Sequence, residues 1–136
     1  MQSVNAKSFL NCFVRNKPKI IFFHIPKTGG SSVASGFRRS YRFSHFHIRS
    51  EPSSKATEKL YNVAPESPNY LYYRQQLRQS IVFYTAMQDV QFITGHFCYD
   101  PQFGQLREKG YHFVSFLRNP VDRFISSYFY RRYKKR

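Results

Sequence analysis

The stretch "KIIFFHIPKTGGSSV" (19–33) limits the folds open to this chain more than any other part of it. A short unbroken apolar run bounded by Pro18 and Pro26 is the pattern of a buried parallel strand. It breaks after His24 into Pro-Lys-Thr-Gly-Gly and resumes as "SSVASGFRRSYRF", where Val33 and Phe37 stand four residues apart. With Ser31 or Ser32 available as an N-cap, a helix is predicted directly after the loop. Such a strand-to-helix loop gathers unpaired backbone N–H groups, and Gly29 and Gly30 let that backbone close around an anion. Lys27 adds a positive charge; Thr28, Ser31 and Ser32 add hydroxyl donors.

The residue order is not that of a Walker nucleotide loop. There the lysine and a Ser or Thr close the glycine loop, and a later strand ends in an aspartate that holds magnesium. Here Lys27 precedes the glycines, and the later strand "FVSFLR" ends at Arg118. Magnesium-dependent ATP or kinase-like chemistry is therefore not predicted, and no metal is called for.

Along the rest of the chain, residues 44–69 turn polar and carry Pro52, Pro65 and Pro68, which reads as a loop-rich connection with one helical turn in "SSKATEKLY". "YLYYRQQLRQSIVFYTAMQ" (70–88) spaces Leu77, Ile81, Tyr84 and Met87 as one apolar helix face, with Arg74 and Arg78 opposite. "VQFITGHF" reads as a second strand ending at Gly95, "QFGQLREKG" as a short helix closed by Gly110, and "YHFVSFLR" as a third strand. "PVDRFISSYFYRRYKKR" follows as a helix with Pro120 in its first turn. Short buried strands alternating with helices imply right-handed crossovers and an α/β fold with a parallel sheet, whose ligands bind beyond the carboxyl ends of the strands. His24, His96 and Arg118 fall at such ends.

Charge narrows the partners. With 22 Lys+Arg against 7 Asp+Glu the formal net charge is +15, a field that draws anions: nucleic acid, acidic polysaccharide, nucleotide or an acidic membrane surface. The terminal "YRRYKKR" reads first as a solvated helix end, then, from its place just after the last motif-bearing segment, as a polysaccharide-binding edge, and last as a nucleic-acid patch. Cys12 and Cys98 are too few and too far apart for a disulfide framework or a metal site. No run reaches the roughly 18 apolar residues of a membrane span, and the N-terminus lacks a signal-peptide core, so the sequence as it stands reads as soluble.

"FLRNPVDRFISSYFY" supplies a second anion site: Arg118 at a strand end, a turn at Asn119-Pro120, and Ser126 about two turns into the next helix. Two such elements at the strand ends of one sheet suit a ligand with phosphates at both ends, the shape of an adenosine bisphosphate. "FFHIPKTGGSSV" resembles the 5′-phosphosulfate loop of sulfotransferases that use 3′-phosphoadenylyl sulfate (PAPS), and "LRNPVDRFISSY" resembles their 3′-phosphate segment. The likeness runs from about Lys19 to Tyr130 and is nearest to the carbohydrate branch with the heparan sulfate 2-O- and 6-O-sulfotransferases.

That resemblance implies a P-loop NTPase-like fold in residues 19–136, after an N-terminal extension over 1–18, and sulfuryl transfer from PAPS to a carbohydrate hydroxyl without a metal. It implies that Lys27 contacts the 5′ phosphosulfate and assists the leaving oxygen. It further implies that Thr28, Gly29, Gly30, Ser31 and Ser32 cradle the 5′ group, while Arg118 and Ser126 grip the 3′ phosphate. "ITGHF" resembles the segment carrying the base in the 2-O-sulfotransferase group, which makes His96 the base; the second histidine of that group is replaced here by Thr94. The other histidines read as structural, His24 orienting the loop and His45, His47 and His112 in aromatic surroundings. Relatives continue beyond the second motif, so an incomplete C-terminal part is expected. Golgi relatives carry an N-terminal membrane anchor, whereas a bacterial version would be cytoplasmic. A non-catalytic basic module binding polyanion or nucleic acid is the rival reading, with affinity falling steeply in salt and tolerant of losing Lys27 or His96.

Overall fold

A computed structural model describes residues 17–134; the first 16 residues, with Cys12 and most of the expected extension, and the last two lie outside the described residues. Its strands are β1 (Lys19–Phe23), β2 (His45–Ile48), β3 (Phe92–Gly95) and β4 (Tyr111–Ser115). The helices are α1 (Gly30–Ser40), α2 (Ser50–Tyr61), α3 (Tyr70–Met87), α4 (Gly104–Glu108) and α5 (Pro120–Lys134), with a 3-10 turn at Pro101–Phe103 before α4. All the strands pair in parallel, in the order β2-β3-β1-β4, so the apolar run that opens the fold sits inside the sheet. This is the mixed α/β fold that the sequence predicts.

Alternation along β1 divides the core into two layers. Ile20 and Phe22 face α1, packing with Ala34, Tyr41 and Phe92; Ile21 and Phe23 face the other way, onto Val82 and Ala86 of α3 and onto Phe103 and Leu106. Phe22, Phe92 and Phe103 are fully buried, each adding about 1.5–3 kcal/mol of transfer free energy. Lys19, the first residue of β1, pairs with Asp89 at 2.9 Å.

Three elements depart from the sequence reading. The predicted loop over 44–69 contains β2 and the twelve-residue α2. β2 escapes pattern recognition because it is an edge strand of four residues, pairing only with β3, and carries two histidines. Pro52 does not block α2, since it stands in the first turn, where backbone N–H groups have no helical acceptor to lose. α3 is also turned relative to expectation: Tyr84 and Met87 are exposed, at 66% and 53%, whereas Arg78 is 2% exposed. The buried stripe runs through Arg78, Val82, Thr85 and Ala86, because α3 packs on α2 through a polar seam as well as on the sheet. Finally, β4 stops at Ser115, so Arg118 belongs to the connection rather than to the strand end.

α5 starts as its sequence indicates. Asn119 Oδ1 accepts the N–H of Val121 at 2.9 Å, and Pro120 takes the first helical position, where it needs no donor. No described helix is long and apolar enough to cross a membrane.

Candidate active site

Where the carboxyl ends of β1 and β3 meet the starts of α1 and α5, a cavity of about 520 Å³ opens, lined by two stretches of backbone loop, two histidines and the inner face of α5. Its floor is the 24–30 loop. Lys27 and Gly29 both adopt left-handed backbone, with φ 68° and 81°. Glycine accepts that geometry freely, whereas a lysine there costs on the order of 1–3 kcal/mol, strain of the kind held at ligand-binding turns. Gly29, not Ser31 or Ser32, is the N-cap of α1, and it has no side chain to occupy the helix's first N–H groups. Gly30 has no room for a side chain: a Cβ there would lie 2.5 Å from Cδ2 of His24. The backbone donors at the start of α1 therefore face the cavity without a protein cap, a site for an anion.

Of the residues singled out in the sequence, Lys27, Gly29, Gly30, Ser31, His96, Arg118 and Ser126 line this one cavity. Thr28 and Ser32 do not. Thr28 Oγ1 donates to the carbonyl of Ile25 at 2.9 Å and closes the turn, while Ser32 is exposed on the first turn of α1. Arg123 of α5 reaches back to the carbonyl of Pro26 at 3.3 Å and ties the second motif to the first.

The sequence did not single out Tyr130 or assign His24 to the cavity, yet both line it. Lys27 Nζ stands 3.1 Å from the centre of the Tyr130 ring, a cation–π contact joining loop to helix. The signal for Tyr130 was present: it lies four residues after Ser126, hence on the same face of α5.

His24 and His96 stack with ring centres 4.4 Å apart, and Nδ1 of His96 lies 2.6 Å from the carbonyl oxygen of His24. A carbonyl can only accept, so Nδ1 carries the proton and the neutral ring keeps its lone pair at Nε2. Thr94 is fully buried in β3; the second imidazole of this site comes from His24 after β1. His47 on β2 pairs in register with Thr94, close enough for its charge to act on His24.

Burial, then the charges of His96, His47 and Arg38, holds His24 below its ordinary pKa of 6.5. Burial, then Arg38 and His96, lowers His47 against a raising hydrogen bond with the Thr94 backbone. Above pH 6.5 neither state of the chain binds these protons; as pH falls through 6.5 the unfolded chain takes them up while the folded chain resists, so stability declines. Thermal unfolding at pH 7.5 and 5.5 should give the lower midpoint at 5.5, with a shallower fall in His47→Gln. Equal midpoints would show that these imidazoles titrate alike folded and unfolded.

Among the described residues no cluster of three or more His, Cys, Asp or Glu side chains is arranged to hold a metal ion. The cavity presents backbone donors, two cations and the stacked imidazoles of His24 and His96, a set matched to a multiply charged anion beside a hydroxyl that must lose its proton. A model of the sulfotransferase family matches residues 10–135, and the chain belongs to that family. No curated protein and no solved structure matches it.

Proposed function

We propose that this chain transfers a sulfuryl group from PAPS to a hydroxyl of a carbohydrate, in the manner of the heparan sulfate branch that its motifs resemble. The observation that carries the reading is the convergence of Lys27, the Gly29-Gly30 backbone and Ser31 with Arg118, Ser126 and His96 on one cavity. PAPS supplies an activated sulfuryl group on a phosphate leaving group. In this reading the loop and Ser31 hold its 5′ end, Arg118 and Ser126 hold its 3′ phosphate, and Thr28 and Ser32 shape the turn and the helix start. The acceptor oxygen forms a bond to sulfur as the sulfur–oxygen bond to phosphate breaks. Nε2 of His96 takes the hydroxyl proton, and Lys27 offsets the charge gathering on the departing phosphate oxygen.

An acidic polysaccharide is the acceptor that the surface favours. Among the described residues the ion pairs use only Asp89 and Glu51, with Lys19, Lys109 and Lys55, leaving most of the basic side chains uncompensated. Transfer of radiolabelled sulfuryl from PAPS to a panel of desulfated glycosaminoglycans tests the proposal. Label is expected in polymer without added metal; none in any carbohydrate would refute the acceptor class.

A further inference from the structure

Arg78 plays no part in the chemistry above, yet it is the most deeply buried cation described in the chain. Its guanidinium faces oxygen acceptors, none of them a carboxylate. Nη1 donates to the carbonyl of His96 at 2.6 Å, Nε to Ser53 Oγ at 3.0 Å, and Nη2 to Ser50 Oγ at 3.2 Å. A buried cation is costly, and an apolar side chain filling the same space would ordinarily serve stability as well or better. A planar fork has one property that such a side chain lacks: it fixes several acceptors in a set geometry.

The acceptors lie on α2 and on the segment just after β3, so Arg78 joins α3 to both. Three residues earlier on α3, Gln75 Oε1 accepts the N–H of Cys98 at 3.1 Å, and α3 thereby grips the chain on both sides of Phe97. The His96 backbone is held from behind and its ring from the front, where Nδ1 meets the His24 carbonyl. That front contact is short and directional, so a small shift of the His96 backbone would break it and free the ring to exchange tautomers.

We infer that Arg78 is the positioning residue for His96, its guanidinium holding the His96 backbone so that the imidazole keeps Nδ1 protonated and Nε2 open to the cavity. The consequence for turnover rests on the proposed role of His96 as base; the consequence for the ring does not.

The test records two-bond proton–nitrogen correlations of the histidine rings in the whole chain and in Arg78→Lys, which keeps the charge but loses the fork, with Ser53→Ala as a second variant. In the parent, His96 should show the single tautomer protonated at Nδ1. In Arg78→Lys, with cooperative unfolding retained, its nitrogen signals should move toward a tautomer mixture and kcat should fall by about 10²-fold, the effect of displacing a reacting group by roughly 1 Å. Affinity for adenosine 3′,5′-bisphosphate should change less than about threefold, since β1 and α1 carry that loop. A folded Arg78→Lys with the parent's His96 spectrum and kcat would overturn the inference. If Arg78→Lys does not fold, Ser53→Ala decides: a shifted His96 spectrum supports the inference and an unchanged one ends it. A tautomer shift in a chain that transfers no sulfuryl group would uphold the role of Arg78 and refute the proposed reaction.

Discussion

Replacing His96 by asparagine is expected to lower sulfuryl transfer by about 10²–10⁴-fold, the range for losing a positioned general base. Asparagine is the informative choice, because its amide N–H can take over the donation that Nδ1 makes to the His24 carbonyl while offering no basic atom at the Nε2 position. Local structure is then preserved and only proton acceptance is removed. Single-turnover rates separate the chemical step from binding, and adenosine 3′,5′-bisphosphate should bind the variant as it binds the parent. Turnover within a few-fold of the parent would exclude His96 as the base and turn attention to His24, stacked against it at 4.4 Å.

Lys27→Gly is expected to separate activity from stability. Lysine at φ 68° is strained by about 1–3 kcal/mol, and glycine relieves that strain at a cost of roughly 0.5–1 kcal/mol in unfolded-chain entropy. Losing the contact with the Tyr130 ring removes another ~0.5–2 kcal/mol. These contributions nearly cancel, so folding stability should stay within about 1 kcal/mol of the parent. Transfer should nevertheless drop by about 10²–10³-fold, the scale for removing one preorganised charge from a developing anion. Denaturant unfolding beside turnover reads both quantities. A variant that keeps its activity would show that the left-handed lysine is not the group on the leaving oxygen.

Sequence made some parts of this molecule legible and hid others for definable physical reasons. β1, the glycine loop and α1 were readable because a continuous apolar run next to Gly-Gly has few other ways to satisfy its backbone. β3, β4 and the Asn119-Pro120 start of α5 followed from equally local signals. The edge strand β2 and helix α2 were hidden, since four residues carrying two histidines give no clear alternation and a proline suggests a break until its place in the first turn is known. The face of α3 was misread for a deeper reason. Hydrophobic spacing takes arginine as outward-facing, whereas Arg78 is buried by oxygen acceptors that only the tertiary arrangement supplies.

The candidate site divides in the same way. Of the site residues named from sequence, all but Thr28 and Ser32 line the cavity. Thr28 was indistinguishable from a ligand donor because only the folded turn shows its hydroxyl committed to Ile25. His24 enters the cavity stacked on His96, distant in the chain, which no local pattern encodes, whereas the i, i+4 spacing from Ser126 already placed Tyr130 on the cavity face of α5.

The most direct test of the account is calorimetric titration of the chain with adenosine 3′,5′-bisphosphate, beside ATP with magnesium, and again with Arg118→Ala. Saturable binding that favours the bisphosphate and weakens about 10–100-fold in the variant is the expected result, matching the 1.5–3 kcal/mol of a charge-assisted hydrogen bond. Equal, weak binding of every polyanion, falling steeply with salt and indifferent to Arg118, would contradict it and leave a basic polyanion-binding module in its place.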